Sequence, residues 1–241
     1  MTEPTPEDYE AFWDQRYAED ERAIWSGRPN GTLVVEVQRR EPGTVLDVGA
    51  GEGADAVWLA EQGWTVTALE PSGVALSRAR VQAEQADVHV TWIHAGVLEA
   101  ADVGQHDLVS AQYPAIPTSD AAIDALLAAV APGGTLLFVH HDMEHHEHDH
   151  APGHDDPAYT AEHEAGDHGH AEHGHGEHGH GGSDHGGPDF DPSDFVMPDD
   201  VVARLDDGWE VEVHEVRDRP PADLPEDAQH VRDIVLRARR R

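Results

Sequence analysis

The sequence predicts an α/β fold in which a largely parallel sheet carries helices on both faces, and three observations carry that expectation. Short apolar runs alternate with helix-like runs between Thr44 and Val139, a glycine-rich turn joins the first strand to the helix after it, and Pro132-Gly133-Gly134 stops the last helix of the series before one more strand.

In chain order, Glu7 to Ala18 sets Tyr9, Phe12, Trp13 and Tyr17 at helix-like spacing after a polar, proline-containing start, predicting a short amphipathic helix. Thr44–Val48 reads as an apolar strand and Ala54–Gln62 as a helix closed by Gly63. Thr65–Leu69 is the next strand, and Ser72–Gln85 a helix with Ser72 at its N-cap. Val88–Ile93 and Asp107–Ala111 predict two further strands, Ser119–Ala131 a helix, and Thr135–Val139 a fifth strand. From Met143 to about Pro192 the composition turns to His, Gly, Asp and Glu, which predicts a disordered insertion. The fold resumes with a helix over Pro198–Leu205 and strands over Trp209–Val216 and His230–Ala238, separated by a proline-rich loop. The expected organisation is an N-terminal tail, helix and covering segment over residues 1–30, a core over 31–142, the insertion over 143–193, and a closing helix with two strands over 194–241.

The most informative local pattern is Val45-Leu46-Asp47-Val48-Gly49-Ala50-Gly51-Glu52-Gly53, which closes a strand and opens a helix. Glycines there permit a tight turn and let a ligand approach bare backbone. Gly49-x-Gly51-x-x-Ala54 also satisfies the dinucleotide fingerprint of nicotinamide enzymes, so spacing alone leaves two cofactor classes open. Asp47 weighs against a pyrophosphate, which a neighbouring carboxylate repels, and for a cationic, amine-bearing ligand. Glu70, 21 residues after Gly49, ends the second strand where an acid can accept ribose hydroxyls in either class.

With these residues in place the chain resembles the class I S-adenosylmethionine-dependent methyltransferases, in particular their small-molecule branch of tellurite-resistance and thiopurine-type enzymes. The resemblance covers roughly residues 9–142 and 194–240. It rests on the Asp47–Gly53 run, Glu70, the strand Asp107-Leu108-Val109-Ser110-Ala111-Gln112, and Ala131-Pro132-Gly133-Gly134-Thr135. It implies a Rossmann-like, seven-stranded, mostly parallel sheet whose last-threaded strand is antiparallel. It further implies that Asp47, Gly49, Ala50, Gly51 and Gly53 cradle the methionine half of the cofactor, that Glu70 holds the ribose, and that Gln112 and the segment after it face the transferring methyl. Trp25-Ser26-Gly27-Arg28-Pro29-Asn30 resembles the family's cofactor-covering segment, making Trp25 a candidate contact. One departure stands out. Where the family has an acid after the third strand for the adenine amino group, this chain has His94-Ala95-Gly96-Val97-Leu98, leaving backbone groups around Gly96 and Val97 to hold adenine, or a weaker hold.

A base is required only if the acceptor must lose a proton, and open α/β sheets bind ligands at the carboxyl ends of their strands. Tyr113, His140, His141 and Asp142 fall there, with Tyr113 and His140 the named candidates.

Composition sets the remaining bounds. A formal charge of −34 and the absence of Arg or Lys from Val81 to Ala203 argue against a nucleic-acid substrate and for a small one, and the resemblance implies that it is a methyl acceptor, a metalloid or thiol among the candidates. All 15 basic residues are Arg, which excludes a Schiff-base lysine and a P-loop lysine. No cysteine is present, so disulfides and thiolate chemistry are excluded and any metal must sit on His, Asp or Glu. No basic start followed by an apolar run and no stretch of about 20 apolar residues occurs, predicting a cytoplasmic protein without membrane partners. Oligomeric state is not legible.

Of the 20 histidines, 15 lie between His140 and His185. His145, His146, His148, His150, His168, His170, His173, His175, His178 and His180, interleaved with carboxylates, form a candidate tract for Zn, Ni or Co. Its glycine content predicts several exchangeable sites for divalent ions rather than one fixed geometry. Two further readings stay open: a non-catalytic metal-buffering protein on a degenerate methyltransferase scaffold, and a nicotinamide-dependent oxidoreductase.

Overall fold

A computed structural model describes residues 6–19, 27–142, 194–220 and 231–241. These belong to one compact unit, Met1–Met143 with Asp189–Arg241. The insertion, and with it the ten candidate metal ligands, lies outside the described residues.

The elements run α1 (Pro6–Glu19), α2 (Gly31–Val37), β1 (Thr44–Val48), α3 (Ala54–Glu61), β2 (Thr65–Glu70), α4 (Gly73–Gln85), β3 (Val90–His94), β4 (His106–Gln112), α5 (Asp120–Ala128), β5 (Val130–His141), α6 (Pro198–Arg204), β6 (Trp209–Asp218) and β7 (Arg232–Arg240). A 3-10 segment, Val97–Val103, links β3 to β4. One seven-stranded sheet has the order β3-β2-β1-β4-β5-β7-β6. Its strands pair in parallel from β3 through β5, and β7, threaded last, slots antiparallel between β5 and β6. The expected Rossmann-like sheet with an antiparallel last strand is thus the observed one.

Period-two alternation builds the two faces. Leu46, Val48, Val109, Leu136, Phe138 and Leu236 point into one core beneath α5 and α6. Their neighbours Val45, Leu108, Leu137, Val139 and Val235 point into the other, beneath α2 and α3. Because β1 is flanked by β2 on one side and β4 on the other, the order of threading reverses at β1, opening a crevice at its carboxyl end.

Two local differences from the sequence expectation have clear causes. The helix before β5 ends at Ala128, not Ala131, and β5 starts at Val130 instead of Thr135. The His106 N–H donates to the Ala129 carbonyl at 2.8 Å and draws that turn into the ladder. Pro132-Gly133-Gly134 then forms an irregularity inside the strand; a Cβ on Gly134 would lie 2.9 Å from the carbonyl oxygens of Ala131 and His106. The second difference is α2, whose Gly-Thr-Leu-Val-Val-Glu-Val sequence has strand-like propensity. Burial of Thr32, Leu33 and Val37 against the sheet overrides it.

Candidate cofactor and acceptor site

The crevice at the end of β1 is built from left-handed glycines. Gly49, Gly51 and Gly53 have φ of +76°, +53° and +88°, so the chain can turn back on itself, and the amides of Gly49 and Ala50 both donate to the Leu69 carbonyl at 2.9 and 3.0 Å. Gly53 has a second reason to lack a side chain: a Cβ there would sit 2.8 Å from Ala79 Cβ and from the Trp92 ring, where α3, α4 and β3 converge.

Two acids face this loop. Asp47, on β1, is 2 % exposed and its Oδ2 is buried without a hydrogen-bond partner. Burial, then the charges of Asp55 and Glu70, holds its carboxyl well above the ordinary aspartate range. Asp55 itself is engaged, accepting from Asn30 N and Nδ2 at 2.7 Å each. Glu70, at the end of β2, accepts from the Gly51 amide at 2.8 Å and the Ser72 amide at 2.9 Å. Burial pushes its carboxyl up to about 7, against the pull of those two backbone donors. Helix α1 closes the rim: Asp14 accepts from Ser72 Oγ at 2.6 Å and from the Val74 amide at 3.1 Å, while Arg78 joins Glu52 to the Tyr17 carbonyl at 2.7 Å each. Sequence reading missed Asp14, since nothing in its neighbourhood signals a contact 58 residues away.

On the other side of the crevice lie the ends of β4 and β5. Gln112 donates to Ser110 Oγ at 3.0 Å and leaves its Oε1 buried without a partner. Tyr113 takes φ of +52°, a left-handed conformation uncommon outside glycine, next to Pro114, whose Cβ lies 3.7 Å from the position a Gly49 Cβ would take. The Tyr113 hydroxyl donates to Asp233 Oδ2 at 2.8 Å, and its ring stacks on His141 at 4.2 Å with the Arg219 guanidinium 5.2 Å from its centroid. Asp233, on β7 and 0 % exposed, also accepts from Thr32 Oγ1 at 2.9 Å, and its Oδ1 lies 3.8 Å from His141 Nδ1. His140, the named candidate, is buried in β5, whereas His141, half-buried one residue on, is the ring that stacks on Tyr113. Asp233, Thr32 and Arg219 come from distant chain positions and could not be found by spacing. Gly96 and Val97 begin the 3-10 segment beside Glu70's end of the sheet, where Glu70 pairs with His94. Trp25 lies outside the described residues.

The arrangement can receive a cationic group: a buried acid whose Oδ2 lacks a hydrogen-bond partner, beside a left-handed glycine turn, with a second acid one strand away. The family described as "Methyltransferase domain" matches residues 45–134, the stretch holding Asp47, the glycine turn and Glu70. Over that stretch the chain is similar to methyltransferase domains. The ubiquinone biosynthesis O-methyltransferase of Erwinia tasmaniensis is 33 % identical over 98 residues, 39 % of this chain and 40 % of that protein. Its counterpart from Escherichia fergusonii is also 33 % identical over 98 residues, 39 % of this chain and 41 % of that protein. The chain thus spans about two fifths of the length of the curated relatives it matches. Solved structures share this fold over nearly the whole chain. One, from work on the conversion of a disulfide bond into a thioacetal group during echinomycin biosynthesis, has a TM-score of 0.65 at 21 % identity and covers 96 % of this chain and 92 % of that one. The N-methyltransferase NodS from Bradyrhizobium japonicum has a TM-score of 0.60 at 15 % identity, with 97 % and 98 % covered. TehB from Haemophilus influenzae has 0.56 at 12 %, with 95 % and 67 % covered.

Proposed function

We propose that this protein is an S-adenosylmethionine-dependent methyltransferase acting on a small protic acceptor, a hydroxyl or a thiol. The observation that carries the cofactor half of this reading is the Asp47 carboxyl, buried at the end of β1 with its Oδ2 lacking a hydrogen-bond partner. A buried carboxylate without a donor is costly, and a ligand ammonium supplies the missing partner. Asp47 and the Gly49–Gly53 backbone would hold the amino-acid end, and Glu70 the ribose. When bound, the cofactor supplies a methyl on a sulfonium, already activated for in-line displacement. The protein's task is then alignment and exclusion of water, which is worth several kcal/mol.

The acceptor half rests on the Tyr113–Asp233–His141 group. The proton of an acceptor hydroxyl or thiol would pass to the His141 imidazole as the new bond to carbon forms, with Asp233 stabilising the resulting cation. Tyr113 shapes the wall between acceptor and glycine turn. The relatives matched are O-methyltransferases by name, which agrees with a hydroxyl, and a metalloid acceptor would leave the His141 group without a role. The chain's charge of −34 supports a small acceptor rather than a nucleic acid.

The histidine tract favours a second reading, metal buffering on a methyltransferase scaffold. Among the described residues no group of three or more His, Asp or Glu could hold a metal, so bound Zn, Ni or Co would sit on the tract. Calorimetry on chelator-treated protein separates the two. The expected result is micromolar binding of S-adenosylmethionine, none of NAD, and at least tenfold weaker binding by Asp47→Asn with its circular dichroism unchanged. Zinc binding by a folded protein that ignores S-adenosylmethionine would move the assignment to the buffer.

A further inference from the structure

We infer that the start of α2 is a bracket joining the two halves of the site, with Asn30 and Thr32 as its positioning residues. Asn30 is tied through Asp55 to the cofactor half, and Thr32 through Asp233 to the acceptor half. The inference rests on the functional reading above and adds two residues to which that reading gives no part.

Asn30 holds the N-cap position of α2, where an asparagine ordinarily turns its side chain back to accept from an amide of the first turn. Here it makes no such bond. Its backbone amide and its Nδ2 instead donate to Asp55 Oδ1 and Oδ2, at 2.7 Å each. Two donors on one carboxyl fix the orientation of the contact as well as its length. Asp55 is buried in the first turn of α3, two residues after Gly53, and after burial itself its charge is what most raises the neighbouring Asp47 carboxyl. Asn30 is thus anchored to the helix that opens from the glycine turn.

Two residues on, the buried Thr32 donates from Oγ1 to Asp233 Oδ2 at 2.9 Å. The same oxygen accepts from the Tyr113 hydroxyl at 2.8 Å. The other oxygen of this fully buried acid, Oδ1, lacks a hydrogen-bond partner and lies 3.8 Å from His141 Nδ1 and 3.7 Å from Arg219 Nε. The two donors on Oδ2 therefore decide how Oδ1 is presented to the His141 ring. They also help hold Tyr113 at its left-handed φ of +52°, a conformation that the surroundings must maintain. Two residues of chain span at most about 7 Å, so the bracket has little slack. Leu33, fully buried behind it, and the Val34 amide, which donates to the Asn30 carbonyl at 3.0 Å, keep the turn in place. A ligand that settles the glycine turn and α3 thereby settles Asp233 and Tyr113 before an acceptor arrives.

Hydrogen exchange with and without saturating S-adenosylhomocysteine tests this on the full chain, Thr32→Val, Thr32→Ser and Asn30→Ser, with circular dichroism checking the fold and calorimetry the saturation. In the native chain the ligand should slow exchange at the glycine turn and also at residues 112–116 and 231–236, by about threefold or more. Thr32→Ser keeps the donor and should match the native chain. Thr32→Val should keep the slowing at the glycine turn and lose it at the two distant segments. Asn30→Ser retains a good N-cap without the Nδ2 donor, so it should show the same distant loss, and it carries the test if Thr32→Val does not fold. A merely structural role would alter exchange equally with and without ligand. Absence of distant slowing in a native chain that binds, its survival in folded Thr32→Val or Asn30→Ser, or its loss in Thr32→Ser would overturn the bracket while leaving the cofactor reading intact. A folded native chain that does not bind S-adenosylhomocysteine would remove the cofactor reading itself, and the inference with it.

Discussion

Glu70 is asked to do two things that pull in opposite directions with pH. Its carboxyl is raised to about 7 by burial, so the free protein favours it protonated, while accepting ribose hydroxyls favours it ionised. The sign for stability follows from linkage. Below the ordinary glutamate value both folded and unfolded chains hold the proton and Glu70 costs nothing. As pH rises towards 7 the unfolded chain ionises first, so folding loses stability, and above 7 the full cost, about 3 kcal/mol, is present. Urea unfolding of the native chain and Glu70→Gln at pH 5 and pH 8 should show the native chain losing more stability between the two than the variant. Calorimetry should show the reverse trend for the ligand, with S-adenosylhomocysteine binding tightening from pH 6 to 8 more in the native chain than in the variant, where Asp47 is the raised acid that remains. Asp47 and Glu70 were legible in the sequence because both belong to a local strand–turn–helix–strand pattern. Asp233 and Asp14 were not, because their partners lie 120 and 58 residues away and only the folded sheet brings them together.

At the scale of elements, the glycine turn separates two requirements that a motif merges. Gly53 has φ of +88° and is also enclosed by Ala79 and Trp92, whereas Gly104 has φ of +95° with nothing within 4 Å. Gly104, at φ +95° and ψ −167°, lies in a region essentially confined to glycine, so Gly104→Ala should cost only backbone strain, about 1–3 kcal/mol. Gly53→Ala adds overpacking against α4 and β3, roughly a further 1–3 kcal/mol, and chemical denaturation of the two variants measures the difference directly. The same distinction explains which elements could be read. β1 to β5 and α3 to α5 announce themselves by apolar period and by caps such as Ser72, whose Oγ accepts from the Ala75 amide at 3.1 Å. Helix α2 has no such signal and exists because Leu33 and Val37 find a buried surface, a tertiary effect no local window contains. The start of β5 was misplaced because Pro132-Gly133-Gly134 looks like a stop, yet the ladder to His106 carries the strand through it.

At the scale of the whole molecule, the two ends that flank the histidine tract are each tied into the sheet domain without reference to the tract. On one side the Asp142 amide donates to the Arg232 carbonyl at 3.0 Å, extending the β5–β7 ladder. On the other, the Thr118 amide donates to Asp194 O and the Val196 amide to Ile116 O, each at 2.8 Å, and Pro117 bridges Phe195. Val196 and Val201 are fully buried in the core beneath the sheet. The domain is thus closed on itself on both sides of the tract, and loop-closure entropy changes slowly with loop length. Replacing residues 143–193 with a Gly-Ser linker of about 12 residues should leave the thermal midpoint within a few degrees and S-adenosylhomocysteine affinity within about twofold. Retention on immobilised nickel should disappear, because 13 of the 20 histidines leave with the tract and those that remain form no three-ligand group among the described residues. A collapse of cofactor affinity in a still-folded excision variant would instead make the tract part of the catalytic machinery, and metal titration of the native chain would then be expected to change methyl transfer as well as metal retention.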